Sequence, residues 1–253
     1  MIRKKIAFFV AFLLIVTMLL TLSLNSYTQD KESSVTIGSG ADYNPEINPL
    51  DFSTKIDNKY FPLIPGTAFI YDGTSEKGQE HTEMVVTGKT KQILGVTCVV
   101  VEDTVMVDGQ IIEQTLDWYA QDKNGNVWYF GEDSKEYKDG KVIDTEGSWE
   151  AGIKDAKPGI VMEVDPKIGD SYRQEYYKGE AEDMADILSL SEPASVKYGS
   201  FADCLKTRDY TPLEPDIIEN KYFAPGIGEV LITLEKGGTE RMELTAIKTE
   251  AIK

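Results

Sequence analysis

The sequence predicts a mostly β protein, an antiparallel curved sheet forming a half-barrel or barrel from two tandem related β-meanders. Three observations carry this. Turn dipeptides recur at short intervals, the segments between them are β-branched and aromatic, and the chain matches itself at offsets of 103 to 106 residues. Asp72-Gly73, Asp108-Gly109, Asn124-Gly125, Asp139-Gly140 and Gly237-Gly238 suit tight hairpins, while Pro65-Gly66 and Pro225-Gly226 suit type II turns.

The 253 residues include 26 basic and 43 acidic side chains, for a net charge of -17, and 41% are hydrophobic. That apolar content is too high for disorder. The charge repels phosphate backbones, so no nucleic acid partner is expected. The acidity reads as a solvated face, with cation binding as the lesser alternative.

Residues 1–26 read as a signal peptide or N-terminal membrane anchor. Arg3, Lys4 and Lys5 precede an uncharged run over 6–24, which as a helix would reach about 28 Å, near the thickness of a bilayer core. This places the protein outside the cytoplasm, secreted or held at the outer face of the cytoplasmic membrane, with no other membrane contact expected. Residues 27–58, rich in Ser, Asn, Asp, Gly and Pro, read as a flexible tether. The β domain spans 59–253.

Strands are expected over 68–71, 84–87, 97–107, 111–120, 127–130, 171–177, 204–211, 217–223, 229–234 and 241–247. Ala181, Met184, Ala185 and Leu188 have helical spacing, but the internal match makes this segment a strand. Cys98 meets Cys204, Asp103 meets Asp209, and Ile111-Ile112-Glu113 meets Ile217-Ile218-Glu219. The copies run over about 60–132 and 167–234, with a connector at 133–166. Two cysteines at equivalent strand positions are expected as buried free thiols rather than a disulfide.

The hairpin over 110–131 admits two registers. A two-residue turn at Asn124-Gly125 sets Asp117 opposite Glu132, a carboxylate pair about 5 Å apart of the kind retaining glycosidases use. A three-residue loop, Lys123-Asn124-Gly125, sets Ala120 opposite Trp128 and dissolves the pair. The second register separates apolar from polar faces more cleanly and is the one expected. Asp122, Asn124 and Asn126 resemble a calcium loop, but Val127 and Asp133 stand where such a loop needs Gly and Glu. No metal or cofactor is expected. His81 is the single histidine, and H-E-x-x-H, C-x-x-C and G-x-S-x-G are absent.

Features unique to one copy are where function is expected. Trp149, with Glu146, Glu150, Arg173 and Glu175, is the candidate ligand site, since an aromatic flanked by carboxylates and one Arg suits a sugar or a cation. Packing over the sheet end is the structural role open to the same Trp149.

The runs D-W-Y-A-Q-D-K-N-G-N-V-W-Y-F-G-E, G-S-W-E-A-G and Y-F-A-P-G-I-G-E-V resemble an uncharacterised family of exported, β-rich prokaryotic proteins. The last is more distantly similar to envelope proteins with lipoprotein-carrier-like half-barrels. The resemblance implies export and a β fold, and carries over no catalytic or binding residue. The expected function is a non-enzymatic binding or cell-envelope interaction module, holding a small apolar or amphipathic ligand on a concave sheet face. The alternatives are a carbohydrate-active enzyme with paired carboxylates and a structural surface module with cation-bridged acidic faces.

Overall fold

The structure, a computed structural model, describes residues 43–75 and 77–249. The signal or anchor segment and the first part of the tether lie outside the described residues. Among the described residues the elements are strands apart from one 3-10 turn, Pro49–Asp51. In the first half lie β1 (Phe52–Ser53), β2 (Ile56–Asp57), β3 (Pro62–Leu63), β4 (Thr67–Ser75), β5 (Gly78–Ile93), β6 (Val96–Val107), β7 (Gln110–Asp122) and β8 (Val127–Lys138). The connector holds β9 (Lys141–Asp144), β10 (Trp149–Glu150) and β11 (Lys157–Met162). The second half holds β12 (Ser171–Arg173), β13 (Glu175–Tyr176), β14 (Met184–Val196), β15 (Gly199–Tyr210), β16 (Ile218–Ala224), β17 (Gly228–Lys236) and β18 (Arg241–Thr249).

Thirteen strands form one antiparallel path, β12-β14-β15-β16-β17-β18-β4-β5-β6-β7-β8-β11-β13. The path curls into a nearly closed barrel. Its two end strands, β12 and β13, are consecutive in the chain and separated only by Gln174, so the seam is crossed by the backbone itself. Gly159 of β11 meets that crossing: a Cβ there would lie 2.4–2.5 Å from backbone atoms of Arg173 and Gln174. Only a residue without a side chain permits the two edges to come this close.

The halves follow the same plan. In each, a strand is followed by a four-strand meander, β4 then β5–β8, and β12 then β14–β17. Gly66 N–H donates to Val86 O in one half, and Gly169 N–H donates to Ile187 O in the other. Cys98 and Cys204 are fully buried free thiols on β6 and β15. Burial pushes the Cys98 thiol up to about 12 and the Cys204 thiol to about 11, which leaves both unreactive.

The chain from Tyr43 to Asn58, read from its composition as tether, is laid against the barrel. Tyr43 OH donates to Pro158 O, β1 pairs with β7, and Gln121 Oε1 accepts from the Asp57 and Asn58 N–H groups. Sparse apolar residues were enough because Ile47, Phe52 and Ile56 all join the core cluster, while Leu50 stays exposed. Tyr60, Phe61 and Leu63 then plug one rim, with Phe61 set between Tyr119 at 5.7 Å and Phe223 at 6.4 Å. We call this the plugged rim; the turns after β5, β7 and β16 stand there too.

Most turn signals are met. Asp108-Gly109 and Asp139-Gly140 have positive φ at both residues, as tight hairpin turns need. Asp72-Gly73 is a correction: both residues lie inside β4, opposite His81 and Glu80. Glycine is required at 73 for packing, since a Cβ would meet Arg241 O of β18 at 2.2 Å.

Candidate functional site

The inward faces of β7 and β8 are polar. Alternation along β7 turns Thr115, Asp117 and Tyr119 into the barrel, all buried. On β8, Tyr129 faces in near the turn and Glu132 and Ser134 face in beyond it, a change of parity that requires an irregularity between them. It is a β-bulge. Near the turn the three-residue register holds, with Tyr119 opposite Tyr129 and Ala120 opposite Trp128. Beyond Phe130 and Gly131 the other register takes over, with Asp117 opposite Glu132 and Thr115 opposite Ser134. The expectation that the longer loop dissolves the carboxylate pair is therefore corrected: the loop is as expected, and the bulge restores the pair. Gly131 makes this possible at φ 133°, where a Cβ would meet Trp149 O at 2.3 Å.

Tyr129 OH donates to Asp117 Oδ1 at 2.6 Å and its ring stacks on Tyr119 at 4.9 Å. Trp149, on β10 opposite Glu132, is buried and stands edge-on to Tyr129 at 5.4 Å. Glu175 on β13 is 1% exposed. The indole N–H of Trp149 is near enough to favour its charged form, yet neither carboxylate oxygen makes a hydrogen bond of good geometry. One oxygen each of Glu132 and Asp103 is also without a hydrogen bond.

Burial dominates the protonation of this group. It pushes Asp117 up to about 7 against the hydroxyls of Tyr129 and Tyr119, which favour the charged form. Burial, then the neighbouring Asp117, Glu175 and Glu113, holds Glu132 well above the ordinary carboxylate range. Glu175 is raised well above that range by burial and by Asp183, and Asp103 by burial and Asp117. The cluster therefore retains protons near neutrality, and its members titrate together.

A second buried group adjoins it. Lys221 Nζ on β16 lies 3.2 Å from Asp209 Oδ2 and 3.6 Å from Glu219 Oε2. Gln174 Nε2, at the seam, donates to the same Asp209 oxygen at 3.0 Å. Burial alone would lower the lysine's pKa, but Asp209 and Glu219 overcome it and hold the ammonium charged. Burial pushes Glu219 up to about 8 and Glu229 up to about 7, in each case against the pull of Lys221. The solvated-face reading of the acidity thus misses a substantial set of carboxylates turned inward.

Of the residues singled out from sequence, the fold brings Trp149 and Glu175 together. Glu150, one step along β10, points the other way and pairs with Lys91 at 2.8 Å, whose ammonium lies 3.3 Å from the Trp118 ring centroid. Arg173 covers the rings of Tyr176 and Tyr43 at 4.9 and 5.9 Å. Glu146 is exposed beyond β9. Asp122 organises its turn: Oδ1 accepts from the N–H groups of Asn124, Gly125 and Asn126, and Oδ2 from Asn126 Nδ2 and Trp128 Nε1. His81 bonds Asp72 at 2.7 Å on the outer face. Among the described residues no group of three or more His, Cys, Asp or Glu is arranged to hold a metal ion. Sequence reasoning passed over Tyr119, Tyr129 and Asp103, whose inward parity follows from the same alternation. The signal for the pair was Gly131, the residue that lets β8 change parity.

The apolar end of the interior, beside the plug, holds a void of about 20 Å³ between Phe61, Leu63, Phe69 and Met84. A second void of about 20 Å³ lies between Glu80, Glu219, Glu240 and Met242. Among the described residues no helix is long and apolar enough to cross a membrane.

No protein-family model matches the chain, and no curated protein matches it. Among solved structures it is similar to a "putative lipoprotein" from Parabacteroides distasonis ATCC 8503, at 12% identity and a TM-score of 0.42, over 76% of this chain and 99% of that one.

Proposed function

We propose that the chain is an exported, non-enzymatic binding module of the cell envelope, arisen from two copies of one meander, whose barrel interior receives a small organic cation. The observation that supports this most directly is Glu175, a buried carboxylate with neither oxygen well hydrogen-bonded, beside the Asp117–Glu132 pair and under an indole. An alkylammonium or guanidinium group would bring N–H donors to these oxygens and its charge to the Tyr129 and Trp149 rings. Binding would displace the proton that burial retains on the cluster. Entry is by way of the seam, because β13 carries Glu175 on two residues paired only with β11. An apolar or amphipathic ligand is the weaker reading, as the groups turned inward beside Glu175 are carboxylates and tyrosine hydroxyls.

The test is thermal unfolding at pH 7.5 with methylammonium, guanidinium or putrescine, against sodium chloride at equal ionic strength. A saturable rise in Tm with an organic cation, absent with sodium and lost in Glu175→Gln, is expected. An equal rise with sodium, or one that survives the substitution, overturns the proposal.

The paired carboxylates favour one second reading, a carbohydrate-active enzyme. Hydrolysis of nitrophenyl glycosides by the parent, abolished in Asp117→Asn, would establish it. Absence of turnover is the result the binding reading requires.

A further inference from the structure

The exposed aliphatic side chains are concentrated on one rim. Leu50, Ile64, Leu94, Ile153, Val164 and Ile168 are all large and exposed, Leu50 to 93%, Ile168 to 67% and Ile64 to 64%. Each sits on a connection at the plugged rim. Ile64 precedes β4, Leu94 is the β5–β6 turn, and Val164 and Ile168 lie between β11 and β12. Leu50 is in the 3-10 turn whose Asp51 O accepts from the Lys123 N–H of the β7–β8 turn. Ile153 is brought there by its neighbour Gly152, which packs on the Leu94 side chain. The other exposed aliphatics, Ile111, Val142 and Ile143, stand at the far end of the barrel.

We infer that the plugged rim is a membrane-contact face, which dips these six side chains into the interfacial region of a phospholipid bilayer.

Three observations select a bilayer as the occupant. The uncharged run over 6–24 is long enough to enter one. From its end to Tyr43 the chain can span at most about 65 Å, and from Tyr43 the segment laid against the barrel leads to Leu50 on the rim. Charges at the plugged rim are also paired. At the plugged rim Lys55 pairs with Asp57, Lys123 with Asp51 and Lys167 with Asp165, so little net charge opposes approach to a surface. Finally, the apolar residues are single tips spread around a rim, with Pro49, Pro65 and Pro225 exposed between them, an arrangement that suits shallow insertion better than one protein interface. A rim of this kind supplies the second attachment that an anchor needs to fix orientation as well as location.

The full chain is reconstituted into phosphatidylcholine vesicles with one introduced cysteine, Leu50→Cys, Ile168→Cys or Ile143→Cys, carrying an environment-sensitive fluorophore. Cys98 and Cys204 are fully buried and stay unlabelled in the folded protein. Blue-shifted emission, strongly quenched by brominated acyl chains, is expected at positions 50 and 168, with water-like emission at 143. Quenching at position 50 is expected to fall in an Ile64→Asp, Leu94→Asp background. Water-like emission at all three positions overturns the inference. So does a blue shift at the rim that brominated lipid does not quench, which would mean that another copy of the chain covers it.

Discussion

In the second half of the barrel, Asp209 stands opposite Glu219, and two residues along β16 the next inward side chain is Lys221. In the first half the corresponding rung sets Asp103 opposite Thr115, not opposite the Glu113 that the sequence match aligns with Glu219, and two residues along β7 the next inward side chain is Asp117. One half therefore has an ammonium where the other has a carboxylate. Phe61 marks the correspondence, since it touches Tyr119, two residues beyond Asp117, and Phe223, two beyond Lys221. Buried acids become tolerable by pairing with a cation or by keeping a proton. The second half pairs Asp209 and Glu219 with its lysine as well as raising Glu219 and Glu229, whereas the first half, with Asp117 in the lysine's place, depends on the proton. A group satisfied by its own lysine is committed to holding the fold, whereas a group satisfied by a proton can exchange that proton for a ligand.

Removing the lysine would break the comparison most severely. Lys221→Met is expected to destabilise the protein by about 3–5 kcal/mol at pH 7.5, since it leaves Asp209 and Glu219 buried without a counter-charge. The loss, read from urea midpoints, should shrink at pH 5, where Glu219, raised by burial, holds its proton. Next in size is the pH dependence of the parent. Carboxylates raised in the fold contribute stability that is fully present below their unfolded values near pH 4 and is lost as pH rises through the folded ones. Stability should thus decline from about pH 4 toward pH 7 and 8, the values to which Asp117, Glu229 and Glu219 are pushed. Asp117→Asn should flatten that decline by up to about 4 kcal/mol, and an unchanged profile would contradict the role given to burial. Gly131→Ala attacks the bulge that creates the difference between the halves; a cost of about 2–3 kcal/mol is expected from strain at φ 133° and crowding by Trp149 O. The smallest change is Glu175→Gln, expected to raise stability at pH 8 by about 1 kcal/mol because it removes a buried acid with no cation of its own.

The strand pattern and most turns were legible in the sequence, because Asp-Gly and Pro-Gly pairs report a local backbone need. Asp72-Gly73 misled because the need was not local: the glycine makes room for β18, which is distant in sequence. Leu94, at φ 49°, marks a hairpin turn that no turn dipeptide announces. Trp149 was singled out as a residue without a counterpart in the other copy, and the fold sets Glu175 of β13 beside it. Glu150 was drawn in by proximity in sequence, but strand alternation sends it to the opposite face. The carboxylate pair was visible in one register and the turn in the other. Only the bulge reconciles them, and it depends on the close approach of β10.

The pairing of β18 with β4 bears on how the protein is made. Residues Thr249 and Thr67 are partners, so the first long strand acquires its second neighbour only when nearly the whole chain is available. Closure over that separation gives a high contact order, and folding on the scale of about milliseconds to seconds is expected for such a topology. A chain threaded through a membrane in extended form would meet this requirement naturally. It would emerge with β4 waiting for its last partner, and truncation of the segment from Arg241 to Thr249 should abolish the cooperative refolding transition monitored by tryptophan fluorescence.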